Sequence, residues 1–397
     1  MKSNRLLIQL IIATLAAVGA AAASAAAPAP ARASAPTNRV IGYYAGWSVE
    51  RFPATKIRGD LLTHVNYAFA IINKDDECVA RNPELAEKGF AQLRELKQKY
   101  PHLKTLISVG GWTDSTGFYD TAKTAATREK FAKSAAKFAK ANGFDGVDID
   151  WEYPGGGGND KGKGGPEDTK NFTALLTELR KQLDAQGKAD GGGKHYLLTI
   201  AAPAGGAYKR MELDQITPLL DFINLMTYDF AGSWLPRTAF NAPLYPWGEH
   251  EQGKLGGDVS VQAYREAGVP PEKICLGVPF YGRAFGGVKA GDEHGLNQPF
   301  DPKAKFTSED GWGWRAISAK YLDKKSSLFW SDKAKVPWVF DDRAGLFITY
   351  DDPRSLRGKA QYVRDNKLGG VMIWELSDDD EKASLLNAVN EGLRSAR

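Results

Sequence analysis

Cysteine, histidine and net charge are all scarce in this chain. Of 397 residues only two are cysteines, Cys78 and Cys275, and five are histidines. Two cysteines build no disulfide framework, and neither they nor the scattered histidines show metal-ligand spacing, so no metal site is expected. Cys275 lies in the apolar run 274–278 and reads as a small buried hydrophobe, with a Cys78–Cys275 bridge as the competing arrangement. The formal charge is +4, or +2 once Lys2 and Arg5 are set aside with the leader described next. A chain so near neutrality has no electrostatic footprint for nucleic acid. Two glycine-rich stretches, 155–165 and 191–193, do not open a helix after a strand with phosphate-cradling spacing, which argues against a nucleotide. No cofactor is expected.

What is present begins with a leader. Lys2 and Arg5 precede an uncharged stretch over 6–23 and small residues around Ser24. Residues 1–27 therefore read as a signal peptide with cleavage options near 25–27, and 28–37 as a disordered lead-in. A membrane anchor is the alternative, but the run is alanine-rich beyond Val18 and would span weakly. A secreted mature protein, with no membrane attachment, follows as an expectation.

Eight short apolar runs recur along the rest: 40–45, 64–72, 105–109, 146–150, 196–201, 222–227, 274–280 and 370–374. Between them lie segments such as 83–100, 121–142 and 167–186, with apolar residues at helical spacing and Gly or Pro boundaries. Strand and helix in alternation imply parallel strands with right-handed crossovers. Eight such units over 38–397 suit an α/β fold of the (β/α)8 TIM-barrel type, with a doubly wound open sheet as the structural alternative. About 90 residues separate the seventh run from the eighth, too many for one helix. Residues 283–345 are assigned to a small α+β insertion on the top rim.

The most informative segment is 144–154, Phe-Asp-Gly-Val-Asp-Ile-Asp-Trp-Glu-Tyr-Pro. As a strand it sends Asp148, Asp150 and Glu152 to one face and Val147, Ile149 and Trp151 to the other. Three neighbouring carboxylates cost roughly several kcal/mol each to desolvate unless paired or protonated, so stability alone does not explain them. In a barrel of this kind the active site lies at the carboxyl ends of the strands. That rule singles out Glu152, read as the last inward position of the fourth strand, as general acid. Asp148 and Asp150 behind it share a proton and titrate as a pair, while Asp145 is structural. Glycosidases of the ordinary kind place a second carboxyl across the scissile bond, and this segment supplies none. A sugar with a 2-acetamido group could bring its own nucleophile.

Asp145-Gly146-Val147-Asp148-Ile149-Asp150-Trp151-Glu152 is similar to the Asp-x-x-Asp-x-Asp-x-Glu signature of family 18 glycoside hydrolases. The chain resembles a bacterial-type chitinase of that family. Further landmarks agree in order: Gly42-Tyr43-Tyr44, Ser108-Val109-Gly110-Gly111-Trp112, Met226-Thr227-Tyr228-Asp229, Tyr281-Gly282-Arg283 and Trp374. The resemblance implies Glu152 as proton donor, Asp150 as the carboxylate that holds the acetamido N–H, and Asp148 as the sharer of its proton. It implies Tyr228 as the phenol on the cyclising acetamido group and Trp374 as the floor under the distorted sugar. Asp229 and Arg283 line the same subsite, Trp112 and Trp234 the leaving-group side, and Tyr43, Met226 and Tyr281 complete the substrate-binding set.

The implied activity is secreted hydrolysis of β-1,4-linked N-acetylglucosamine polymers, with chitin or chitooligosaccharides as the partner and a monomer as the working state. A non-hydrolytic lectin on the same barrel is one alternative, which Glu152 argues against. An endo-β-N-acetylglucosaminidase acting on N-glycans is the other, disfavoured by the insertion that the resemblance ties to chitinases. Trp312, Trp314 and Trp338 stay open between cleft lining and packing, and Glu375 has no assigned role. Lys333 and Lys335 read as solvated surface.

Overall fold

The computed structural model describes residues 38–394 apart from 161, 305, 308–310 and 324–326; the leader and lead-in expected over 1–37 lie outside these. In chain order the strands are β1 (Arg39–Ala45), β2 (His64–Ile72), β3 (Cys78–Ala80), β4 (Lys104–Gly110), β5 (Gly146–Asp150), β6 (Leu197–Pro203) and β7 (Phe222–Met226). There follow β8 (Ile274–Pro279), β9 (Tyr281–Phe285), β10 (Trp312–Gly313), β11 (Leu328–Ser331), β12 (Val336–Asp341), β13 (Leu346–Thr349) and β14 (Gly370–Trp374). Strands β1, β2, β4, β5, β6, β7, β8 and β14 pair in parallel, and β1 pairs with both β14 and β2, which closes the sheet into a barrel. These eight coincide with the eight apolar runs. Their near-continuous burial, complete along β5 and β8, is what a parallel sheet covered on both sides requires.

The helices follow from local chemistry. Helix α1 (Pro83–Lys99) starts where Asn82 accepts from the Leu85 N–H with proline at the next position. After α2 (Thr116–Thr121), α3 (Ala125–Asn142) is capped by Thr124 and stopped by Gly143 at φ 79°, in the left-handed region. Its buried stripe is Phe131, Ala132, Ala135, Ala136 and Ala139. Among the described residues no helix is long and apolar enough to cross a membrane.

Between β8 and β14 a second sheet, antiparallel, runs in the order β10-β9-β13-β12-β11. Its strands extend beyond the 283–345 expected for the insertion: Tyr281 and Gly282 pair with β10, and Thr349 pairs with Arg283. Only Phe280 separates β9 from barrel strand β8, so one apolar run hides the passage from one sheet to the other. Trp338, Phe340, Phe285 and Phe347 form this sheet's core with Phe240 and Trp247 from the loop after β7. Trp338 is buried in this core, Trp314 is buried in the main core against Tyr350, and Trp312 stacks on Tyr321. All three serve packing. Lys333 and Lys335 are exposed, as expected. Cys275 and Cys78 are both buried and unbridged, each thiol pushed up to about 12 by burial.

Candidate active site

Strand β5 stands at the centre of the barrel. Val147, Ile149 and Trp151 point into the outer core, where Trp151 stacks on Phe118 at 5.4 Å and meets Tyr119 and Phe172 edge-on. Asp148 and Asp150 take the other face, fully inside. The strand ends at Asp150, as the run 146–150 has it, so Glu152, expected as the last inward position of the strand, stands instead in the turn beyond it. The reason is local: the Asp150 carbonyl accepts from Gly111 N–H at 2.8 Å, and the Glu152 N–H goes to Ser115 Oγ at 2.9 Å instead of a ladder partner. Gly110 must be glycine here. Its φ is 107°, and a Cβ would come within 2.3 Å of the Asp150 carbonyl.

Asp148 is the deepest carboxylate and the best supported. Its Oδ2 accepts from Tyr43 Oη and Ser108 Oγ, each at 2.7 Å, and its Oδ1 from Thr199 Oγ1 at 2.5 Å and Asn224 Nδ2 at 3.3 Å. Donors to a charged group contribute roughly 1.5–3 kcal/mol each, so four of them offset the several kcal/mol that burying the charge costs. Burial still lifts its pKa above the ordinary value while these donors pull against it. Asp150 has no such support. Burial, then the charges of Glu152 and Asp148, push it well above the carboxylate range, and its Oδ1 has no partner among the described residues. Of the two, Asp150 is the one whose surroundings favour the protonated form, because four donors favour the charged form of Asp148.

Burial raises Glu152 to about 7; the charge of Asp229 adds to the rise, and a hydrogen bond with the Tyr153 side chain works against it. Asp229 lies in a left-handed conformation (φ 57°) after β7. Its Oδ1 receives Tyr281 Oη at 2.6 Å and Arg283 Nε and Nη2 at 2.9 and 2.6 Å. The Arg283 guanidinium also lies 4.8 Å over the Trp234 ring. Tyr228 is edge-on to Tyr281 at 6.2 Å and donates to Met372 Sδ at 3.7 Å. Its phenol is pushed well up by burial, with Tyr281, Asp150, Asp229 and Glu152 adding, a convergence of groups from β5, β7 and β9 on one spot. Trp374 closes the floor, stacked on Phe69 at 5.7 Å and tilted to Tyr43 at 5.5 Å, with Met226 and Tyr228 in the same apolar cluster.

Trp112 and Trp234 are 51% and 56% exposed at the ends of β4 and β7. A third tryptophan, Trp47, is equally exposed at 51% and lies 6.2 Å from Trp374 and 6.3 Å from Phe69. No motif in the sequence singles out Trp47 or Phe69, and Tyr153 stands there only as the residue after Glu152. The rule that function sits at strand carboxyl ends would have flagged Trp47, two residues past β1. Asp145 is at the opposite end of β5. Burial would raise it, but the hydrogen bonds from Lys97 Nζ at 2.6 Å and the Thr105 N–H at 2.9 Å, with Lys194 nearby, hold it below the usual range. Glu375, left unassigned, is buried and accepts from the Ser377 N–H at 2.8 Å.

Residues 39–379 match the model of a family described as Glycosyl hydrolases family 18. Chitinase A1 of Niallia circulans is 38% identical, the alignment covering 88% of this chain and 58% of that protein, so this chain spans less than two thirds of its length. Chitinase B of Serratia marcescens is 35% identical over 91% of this chain and 83% of its own. The solved structure of a glycoside hydrolase family 18 N-acetylglucosaminidase from Paenibacillus barengoltzii superposes with a TM-score of 0.79 at 36% identity, covering 89% of this chain and 99% of the other. The chain belongs to glycosyl hydrolases family 18, and residues 39–379 form its glycoside hydrolase domain, of the chitinase type.

Proposed function

We propose that the protein is a secreted enzyme that hydrolyses β-1,4-linked N-acetylglucosamine polymers and oligomers with retention of configuration, the acetamido oxygen of the substrate serving as nucleophile. The observation that carries this is Glu152: a carboxyl raised to about 7 and therefore protonated in mildly acidic solution, beyond two buried aspartates, Asp148 and Asp150, that burial raises as well. Among the described residues the other carboxylate whose charge reaches Glu152 is Asp229, whose Oδ1 accepts from Tyr281 and Arg283. Neutralised in this way, it is a poor nucleophile.

Each group then has a task. Glu152 protonates the leaving oxygen. The hydroxyls of Tyr43, Ser108 and Thr199 can each turn from donor to acceptor, so Asp148 can take the shared proton. Asp150, freed of it, accepts the acetamido N–H and draws electron density toward the carbonyl oxygen. That oxygen closes on the anomeric carbon to an oxazolinium ion. Tyr228 has only a thioether sulfur, a weak acceptor, as partner, so its O–H is available to the acetamido group. Water then opens the ring with Glu152 as base. Three of the four large apolar residues exposed among those described are Trp47, Trp112 and Trp234, all at strand carboxyl ends. Indole faces suit the C–H faces of pyranose rings, which supports a chain running past the cleaved bond in both directions. Export rests on the leader over 1–27.

Chitin hexamer is the decisive substrate. Products of two to four sugars are expected. Release of single sugars alone would place the activity with the Paenibacillus N-acetylglucosaminidase instead, and an intact hexamer would overturn the proposal.

The pH profile has a defined sign. Glu152 donates only while protonated, so kcat/KM should fall as pH rises through about 7. In Asp229→Asn a negative charge that raises Glu152 is gone and Arg283 is left less neutralised. Both changes favour ionised Glu152, so the alkaline limb should move to lower pH. A limb that stays in place or moves upward would remove Asp229 from the tuning of the acid.

A further inference from the structure

We infer that Ser115 is a positioning residue for the acid, and that its hydroxyl sets how well the enzyme cleaves poor leaving groups. The inference rests on Glu152 being the proton donor. Ser115 is completely buried in the turn between β4 and α2, and its hydroxyl meets Glu152 and Asp150 through their backbone alone. Its Oγ accepts from the Glu152 N–H at 2.9 Å. The same hydroxyl faces two carbonyl oxygens, Gly111 at 2.9 Å and Asp150 at 3.1 Å, between which its single proton is shared. One oxygen atom thus grips the backbone on both sides of Trp151 and ties it to the turn that carries Trp112.

The grip is itself anchored. The Ser115 carbonyl accepts the Phe118 N–H at 3.0 Å at the start of α2, and Phe118 is the ring stacked on Trp151. Trp151 fixes the height of the Glu152 backbone by packing; Ser115 fixes its lateral position and peptide orientation by hydrogen bonds. With Asp150 the last residue of β5, no ladder bond does this for Glu152. A carboxyl beyond the end of its strand needs such a tether to meet the glycosidic oxygen at hydrogen-bond distance, and misplacement by an ångström can cost on the order of 10²-fold.

The two aspects of such a loss separate by leaving group. A sugar alkoxide departs only with a proton, whereas an aryl oxide leaves nearly unaided. Ser115→Ala should therefore lower kcat/KM on chitohexaose by roughly 10²-fold while lowering it on 4-nitrophenyl chitobioside by no more than about fivefold. Ser115→Cys, which keeps the size with a weaker donor and acceptor, should fall between. Partial unfolding would reduce both substrates by the same factor, so the ratio reads positioning and not stability. Equal losses on both substrates, or an unchanged rate on chitohexaose, would overturn the inference. Glu152→Gln on the same two substrates tests the underlying assignment separately. If that variant spares chitohexaose, Glu152 is not the acid, whatever Ser115 does.

Discussion

Glu152→Gln should lose turnover of chitooligosaccharides by a factor on the order of 10²–10⁴, with their dissociation constants nearly unchanged. The expectation of retained binding is physical. Well below pH 7 the Glu152 carboxyl is mostly neutral, so an amide of the same shape alters neither charge nor packing in the cleft there. The aromatic cluster of Trp374, Phe69 and Tyr43, proposed as the floor under the sugar, does not involve the carboxyl. What disappears is the proton. Steady-state kinetics beside calorimetric titration with an uncleaved oligosaccharide would separate the two effects. A variant with near-wild-type turnover would remove Glu152 from the chemistry.

The second large effect belongs to the substrate. Cello-oligosaccharides, which differ at the reacting centre by a hydroxyl in place of the acetamido group, should be cleaved at least roughly 10⁵-fold more slowly, since an intramolecular nucleophile supplies effective molarities of that order or greater. Among the described residues no side chain is placed to substitute. Asp229 is held by Tyr281 and Arg283, and Asp148 is locked under four donors. Comparable rates on the two polymers would mean that a protein carboxylate attacks, and the roles of Asp150 and Tyr228 would need to be rewritten.

Much of this molecule is legible in the sequence because its parallel strands are buried on both faces. An unbroken apolar run such as 274–280 has few alternatives to a barrel strand, and all eight runs become barrel strands. Acidic residues are legible for the complementary reason: alternation with Val147, Ile149 and Trp151 leaves their side chains one direction, inward. Boundaries are a different matter. Passage from β8 to β9 takes a single residue, Phe280, and no change in composition marks it. That Glu152 lies off the end of β5 is likewise invisible, because it depends on which donor reaches the Asp150 carbonyl, and that donor is Gly111 from another strand's end.

Long-range hydrogen bonding is what composition and spacing do not carry. Ser108 was recognisable only as part of a glycine turn, yet its hydroxyl is one of the four donors on Asp148; Thr199 and Asn224 drew no attention at all. Each is an ordinary residue on an ordinary strand until the barrel closes. Aromatic residues divide for a similar reason. Trp338 fills the core of the second sheet and Trp314 packs into the main core, while Trp47 stands half exposed at the rim, and nothing in their immediate neighbours in sequence tells the fates apart. Tyr153 was noted only as the residue after Glu152, although its side chain is the hydrogen-bond partner that tempers the rise of the acid.

The most direct test of the central claim is the anomeric form of the first product. Hydrolysis of chitin hexamer followed by proton NMR within the first minutes, before mutarotation, should show new reducing ends as the β-anomer, since the acetamido oxygen and then water invert the same carbon twice. New ends appearing as the α-anomer would mean a single displacement by water, and would contradict the substrate-assisted mechanism.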